Sequence, residues 1–417
     1  MREIILSQKK ERDTLLAGSY IPREKLHEAK KYLNKDLIKV IVGPRRAGKS
    51  VFAIELLNGL NFAYINFDDE RLLYIKDYDE ILKGIKAVYG DVKYILFDEI
   101  QNIPKWEVFV NRLQRRGYNV VITGSNSRLL SKELATHLTG RYIQYTLYPF
   151  SFYEFLLAEG IEAKESELYG EDEGRILNLL SRYLTTGGYP EVVVKKIDPG
   201  DYLKLLLESV IFKDVVKRYN LRYSRKMYEL VLYLVTNYSR EISYTRLKNS
   251  LGFRSVHTVE NYTYYLREAF LIFEVKRFSY KFKEQLRSPK KVYMIDTGMM
   301  EAFKFKVSQD IGRIMENLVA IELLRREVEF YYYKEAREYE VDFLVKEGPK
   351  VKELIQVCYN IERPEVRKRE LRSLVRASDH LSCENLVVLT WDYEGEEEYK
   401  GKIIKFKPLW KWILFYH

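Results

Sequence analysis

Between residues 37 and 147 the chain alternates two hydrophobic rhythms. Short, nearly continuous apolar runs occupy 37–42, 62–67, 92–99, 118–123 and 142–147, and stretches with apolar residues every three or four positions separate them. Runs this short predict strands buried on both faces, and the intervening pattern, as in 51–57, predicts amphipathic helices. Such alternation makes βαβ units and a parallel sheet.

After Pro149 the rhythm turns helical. Helices are predicted over 150–159, 175–183 and 202–216, with the Gly187-Gly188-Tyr189-Pro190 turn between two of them, and together they read as a lid packed on the preceding sheet. Next, 225–285 predicts a short helix capped by Ser243, a turn at Leu251-Gly252-Phe253, a second helix over 255–266, and strands at 270–275 and 278–280. That order predicts a winged helix. Val256, Val259, Tyr262 and Leu266 line one face of the second helix. The last third predicts a helix over 314–325 and two antiparallel strands near 339–345 and 353–358. The expected organisation is a charged helical arm (1–35), an α/β core (36–148), a helical lid (149–222), a winged helix (223–288) and a further α/β domain (289–417).

The first strand runs into Gly43-Pro44-Arg45-Arg46-Ala47-Gly48-Lys49-Ser50, which fits G-x-x-x-x-G-K-[ST] at every fixed position. A strand before and a helix after supply the context this P-loop pattern requires. The glycines let backbone N–H groups face one point at a helix N-terminus, where phosphate binds. Lys49 reaches the β- and γ-phosphates, and the Ser50 hydroxyl ligates Mg²⁺. The third run ends in Asp98-Glu99. Asp98 suits the Mg²⁺ shell and Glu99 the attacking water. The fourth ends in Gly124-Ser125-Asn126-Ser127, where polar groups meet ligands at the carboxyl edge of an open sheet; Ser125 or Asn126 is expected near the γ-phosphate, with Ser127 capping a helix that starts near Arg128. Arg141 follows that helix and suits an arginine finger. The expected ligands are therefore ATP and Mg²⁺.

Two further groups carry candidate chemistry. Arg254, His257, Thr258 and Asn261 on the second helix of the winged-helix segment, with Arg277 beside its strands, are residue types that reach base edges and phosphates. Glu316, Asp342 and Gln356 are placed to hold a divalent metal in a nuclease-like site. A lysine two residues after Gln356 would be needed to activate water, and Cys358 stands there. Cleavage is not expected from this domain.

Taken in order, Gly-Pro-Arg-Arg-Ala-Gly-Lys-Ser, Ile-Leu-Phe-Asp-Glu-Ile-Gln, Thr-Gly-Ser-Asn-Ser, Leu-Thr-Gly-Arg, Tyr-Pro-Phe-Ser-Phe-Tyr-Glu-Phe and Thr-Gly-Gly-Tyr-Pro-Glu resemble the archaeal ATPase family of the AAA+ superfamily. The resemblance covers nearly the whole chain. It implies a P-loop ATPase core of α/β class, a helical lid, a winged helix and a C-terminal domain like restriction endonucleases of the PD-(D/E)xK type. It also implies that Arg141 serves the γ-phosphate.

Composition narrows the partners. The 417 residues carry a net charge of +10, which favours double-stranded DNA as an anionic partner beyond ATP. Abundant charged residues with few glutamines suggest a thermophile. Two cysteines exclude a disulfide framework and point to the cytoplasm. Neither a signal peptide nor a bilayer-spanning run is expected, so no membrane partner is. A homo-oligomer and a protein partner remain open. A nucleotide-driven signalling switch and an ATP-regulated nuclease are the alternative functions.

Overall fold

The computed structural model describes residues 1–125, 140–164, 171–303, 310–335 and 339–415. They fall into two compact units, one of 1–150 with 267–270, the other of 151–266 with 271–417.

Within the first unit, five strands lie parallel: β1 (Ile38–Val42), β2 (Phe62–Asn66), β3 (Tyr94–Asp98), β4 (Asn119–Gly124) and β5 (Tyr142–Thr146), in the order β2-β3-β4-β1-β5. All five residues of β1 are buried, as expected for a strand covered on both faces. One face packs Val40, Ile65, Ile95, Phe97 and Ile122 with Phe109; the other packs Ile41, Leu96 and Val121 against Phe52 and Leu56. Phe270 joins the first of these clusters from far along the sequence.

The N-terminal stretch is helical over Arg2–Leu16 and Lys25–Tyr32. It is not an arm. Ile5 and Ala29 are fully buried in the two cores, and Gln8 bonds Asn66 through both its amide atoms. Apolar spacing is sparse among the charges here, so only packing reveals the role.

The second unit begins with helices Phe152–Ala158, Glu171–Thr186, Pro190–Lys195 and Pro199–Ser209, the last continued by a π-helical stretch, Val210–Lys217. A capping box of Ser151 and Glu154 starts the first of them. They group with the second unit. Glu171–Thr186 and Pro199–Ser209 pack on Thr297–Ala302, and Phe152–Ala158 packs on Leu409–Phe415, inside this unit. The Gly187 turn shows why. Gly187 has φ +72°, Gly188 N–H donates to Asp296 Oδ2 at 2.7 Å, and a Cβ on Gly187 would lie 2.1 Å from Asp296 Oδ1.

Residues 224–294 run helix (Ser224–Thr236), β6 (Arg240–Ile242), helix (Tyr244–Leu251), helix (Val256–Glu268), β7 (Ile272–Lys276), helix (Phe282–Arg287), β8 (Lys290–Met294). The strands form an antiparallel sheet with β8 central, in the order β6-β8-β7. Two local expectations fail. Ser243 occupies the cap position without a side-chain cap bond. The partner of β7 is 290–294 and not 278–280, because Phe278 N–H donates instead to the Tyr332 carbonyl at 2.7 Å. A domain boundary at 288 would therefore cut this sheet.

The remaining strands make a mixed sheet in the order β13-β14-β12-β11-β10-β9: β9 (Glu329–Glu335), β10 (Tyr339–Glu347), β11 (Lys350–Val357), β12 (Leu386–Thr390), β13 (Gly395–Tyr399) and β14 (Lys402–Pro408). Helix Pro364–Leu381 covers one face through Leu371 and Leu374 against Leu354, Val388 and Ile404.

Candidate nucleotide-binding site

The site forms at the carboxyl edge of the first sheet, where β1 turns into helix Lys49–Leu57. Gly43 has φ +151°, and a Cβ there would lie 2.0 Å from the Leu147 carbonyl oxygen. Gly48 has φ +90° and caps the helix without a side-chain bond, which leaves the first-turn N–H groups for an anion. Lys49 is 5% exposed, and its ammonium donates to the Pro44 carbonyl at 3.0 Å, folded back over the loop. Arg23 fixes the loop from outside the motif. Its guanidinium donates to the Ala47 carbonyl at 2.9 Å and the Tyr148 carbonyl at 2.6 Å.

Asp98 is buried behind the loop. Its Oδ1 accepts from Ser50 Oγ at 3.0 Å and from Thr123 Oγ1; its Oδ2 accepts from the Tyr64 hydroxyl at 3.3 Å. Burial pushes the Asp98 carboxyl up to about 6, and the negative Glu99 beside it pushes the same way. A hydroxyl and a carboxylate converging at 3.0 Å fit a hard divalent cation, which takes oxygen ligands. Ser50 and Asp98 would hold Mg²⁺, directly or through its waters.

Glu99 sits in left-handed backbone, φ +49°, which turns its side chain out of the strand direction taken by Asp98. Its Oε2 accepts from Ser125 Oγ at 3.0 Å, from Ser125 N–H at 3.3 Å and from the Gln101 amide. Its Oε1 lies 3.9 Å from the Lys49 ammonium. Burial acts to raise this carboxyl, but Lys49, Gln101 and Ser125 outweigh it and hold it below its ordinary value. It is therefore ionised and able to accept a proton or orient water.

Sequence reasoning brought Ser50, Lys49, Asp98, Glu99 and Ser125 to one place, and so does the fold. It missed Arg23, Tyr64, Gln101 and Thr123. Thr123 and Gln101 stood in plain view at a strand end and in Asp-Glu-Ile-Gln; Arg23 and Tyr64 carry no local signal. Asn126, Ser127 and the helix expected after them lie outside the described residues. Arg141 is not in this site. It precedes β5, its carbonyl accepts from Ile38 N–H at 2.9 Å, and its side chain is exposed at the amino edge of the sheet. From there to the P-loop is the length of β1, roughly 13 Å at about 3.3 Å per residue. At that separation its side chain does not reach its own chain's P-loop in this structure.

The second unit holds the other candidates. Arg254 and His257 are exposed, and Thr258 and Asn261 half-buried; Asn261 Nδ2 lies 3.3 Å from His257 Nε2, and Thr258 Oγ1 is 2.9 Å from Ser255 Oγ. Arg277 is engaged elsewhere: its guanidinium donates to the Lys334 carbonyl. Glu316, Asp342 and Gln356 do converge, yet among the described residues no group of His, Cys, Asp and Glu is placed to hold a metal. Cys358 is buried beside them, and burial pushes its thiol up to about 12.

A phosphate cradle, a cation seat and an ionised carboxylate at the edge of a parallel sheet have one chemistry in common, hydrolysis of a nucleoside triphosphate. By class the protein carries a P-loop ATPase domain of AAA type. The family described as "AAA domain" matches residues 35–156, and the families "Domain of unknown function (DUF8612)" and "Domain of unknown function (DUF4143)" match 177–310 and 311–412. An uncharacterized protein of Methanocaldococcus jannaschii is 37% identical over 418 residues, covering 93% of this chain and 92% of its own. One of Haemophilus influenzae is 30% identical over 405 residues, covering 93% and 97%. The chain belongs to one family with these two uncharacterized proteins, and within it residues 35–156 match the AAA domain. Among solved structures, a Walker-type ATPase of Pyrococcus abyssi is similar at 14% identity and TM-score 0.44, over 68% of this chain and 96% of that one; a likeness of that size decides nothing further. Among the described residues no helix is long and apolar enough to cross a membrane.

Proposed function

We propose that this ATPase binds Mg²⁺·ATP at Lys49, Ser50 and Asp98, hydrolyses it with Glu99 as the water-orienting base, and associates with duplex DNA through a winged helix at 224–294, while its last domain binds without cutting. Bound Mg²⁺·ATP supplies the phosphoryl group and the charge that neutralises it. The P-loop N–H groups and Lys49 bind the phosphates. Asp98 and Ser50 orient the cation. Glu99 takes the proton from water, and Ser125 with Gln101 fixes its carboxylate. Arg141, at the far edge, reads best as a residue offered to a neighbouring subunit. The unpaired buried thiols of Cys358 and Cys383 fit a reducing cytoplasm.

The observation that carries the DNA reading is the segment between β7 and β8. Lys281, Lys283 and Arg287 are all exposed there, as is Lys276 at the end of β7, with Tyr280 70% and Phe282 69% exposed among them. Cations interleaved with exposed aromatics on a wing suit phosphate and sugar. Fluorescence anisotropy with a duplex, over a salt series and with or without ATP, tests it. Replacing Lys281, Lys283 and Arg287 by Ala should flatten the log–log salt slope by roughly 0.9 per lost phosphate contact. No binding at low salt, or binding indifferent to salt, overturns it. A second reading has its own observation: helix Phe282–Arg287 buries none of its residues, and Leu286 is 55% exposed. A protein partner covering that apolar face would fit a signalling switch.

A further inference from the structure

Four charged side chains meet inside the second unit. Lys291, on β8, is 2% exposed. Its ammonium lies 2.9 Å from Glu316, 2.8 Å from Glu340 and 3.2 Å from Asp342. Helix Ile311–Arg325 brings Glu316, and β10 brings Glu340 and Asp342, two residues apart and so on one face of the strand. Burial works against the ammonium, but Glu316, Tyr293, Asp342 and Glu340 outweigh it and keep it protonated.

Each carboxylate also has a second protein partner, which for Glu340 is the Lys334 ammonium at 3.0 Å. Glu316 Oε1 also accepts from the Tyr293 hydroxyl at 2.7 Å. Asp342 Oδ2 accepts from Val357 N–H at 3.0 Å. Gln356 accepts from Asp342 N–H at 3.3 Å and donates to Glu370 at 2.7 Å. These are the residues that the endonuclease resemblance offers as metal ligands. A divalent cation needs several such oxygens at about 2.0–2.6 Å with room for its waters. Here a cation already stands among them, at hydrogen-bonding distance, attached to the chain. The residues therefore do not fit a metal.

We propose that Lys291 takes the seat of a divalent cation, so that Glu316, Glu340 and Asp342 hold an internal ammonium and the last domain is a metal-free relative of the nucleases it resembles. The proposal rests on the nuclease-like reading of that domain. It places the obstacle to cleavage in an added lysine on β8 as well as in the missing one at position 358. A lysine acting on substrate instead would have to face it, and this one is buried with its donors committed to three carboxylates.

Mn²⁺ binding to nucleotide-free full-length protein, followed by the EPR signal of free Mn²⁺, tests it. Wild type and Asp342→Asn should take up equal Mn²⁺. An extra ion in wild type that Asp342→Asn lacks overturns the proposal. Lys291→Gln should gain one Mn²⁺ and a Tm that rises with Mn²⁺, both lost in Lys291→Gln/Asp342→Asn. A folded Lys291→Gln that gains none overturns it; if that variant does not fold, the comparison of wild type with Asp342→Asn decides. Plasmid cutting by wild type that Lys291→Gln abolishes would make Lys291 catalytic and overturn it too. Cutting that survives in Lys291→Gln/Asp342→Asn would instead sink the nuclease-like reading of these residues. ATP turnover reports on the other unit and keeps failure of the ATPase assignment separate.

Discussion

Replacing Glu99 by Gln removes one charge and almost no volume. The Gln carbonyl can keep the bonds from Ser125 Oγ at 3.0 Å and Ser125 N–H at 3.3 Å, and the Gln101 contact with them. What disappears is the ion pair with Lys49 at 3.9 Å. Its gross Coulomb energy is about 4 kcal/mol at an effective dielectric of about 20, and desolvation of the two groups offsets much of that. A net stability loss of about 1–2 kcal/mol is expected. Lys49 then has one competitor fewer for phosphate, so nucleotide affinity should hold or improve. Turnover should fall roughly 10²–10⁴-fold, or about 2.7–5.4 kcal/mol of barrier, the usual worth of a positioned general base. Phosphate release gives the rate, and titration with a fluorescent ATP analogue gives the affinity. Turnover within about threefold of wild type, well under 1.36 kcal/mol of barrier, refutes the role. A parallel loss of affinity would make Glu99 a binding group instead.

Three other outcomes are expected. Asp98 must be ionised to hold Mg²⁺, and its carboxyl is raised to about 6, so the needed charge is present above that pH and lost below it; kcat/KM should fall on the acid side with a midpoint near there, and in Glu99→Gln, where the neighbouring charge is gone, the midpoint for nucleotide binding should move lower. A flat profile down to about pH 5, more than half a unit past that midpoint, counts against it. Arg141→Ala and Glu99→Gln, each inactive alone, should regain ATPase activity on mixing if the arginine serves a neighbour; no recovery at any mixing ratio removes Arg141 from the site. Gly187→Ala forces a side chain into left-handed backbone and onto Asp296, 2.1 Å away, and should cost at least about 2 kcal/mol in urea unfolding; a loss below about 0.5 kcal/mol refutes that account.

The P-loop sheet was legible because its strands are short, apolar and bounded by turn chemistry, and because phosphate chemistry demands fixed spacings. Every residue of the Ser50–Asp98–Glu99–Ser125 constellation ends a strand or starts a helix, where local sequence and site geometry coincide. What stayed hidden depends on partners distant in sequence. Arg23 and Tyr64 act through contacts 125 and 34 residues away. Lys291 sits in Lys290-Lys291-Val292-Tyr293-Met294, where period two places it inward with Tyr293; a charged residue at an inward strand position was a signal that went unread. Arg277 looked like a surface cation because only tertiary structure shows the Lys334 carbonyl it meets. The strand expected at 278–280 failed for a similar reason: Phe278 finds its bond on β9, 54 residues later.

Phe270 has a consequence for modularity. It is a core residue of the nucleotide unit, 7% exposed, although the chain reaches it only after leaving that unit at Phe150 and traversing more than a hundred residues. A fragment ending at Phe150 would contain every nucleotide motif and still have a hole where that ring belongs. The ATPase cannot be exchanged between proteins as one continuous cassette. Recombination at the linker would yield a weakened enzyme, which ties the inheritance of the P-loop unit to that of the segment following helix Val256–Glu268.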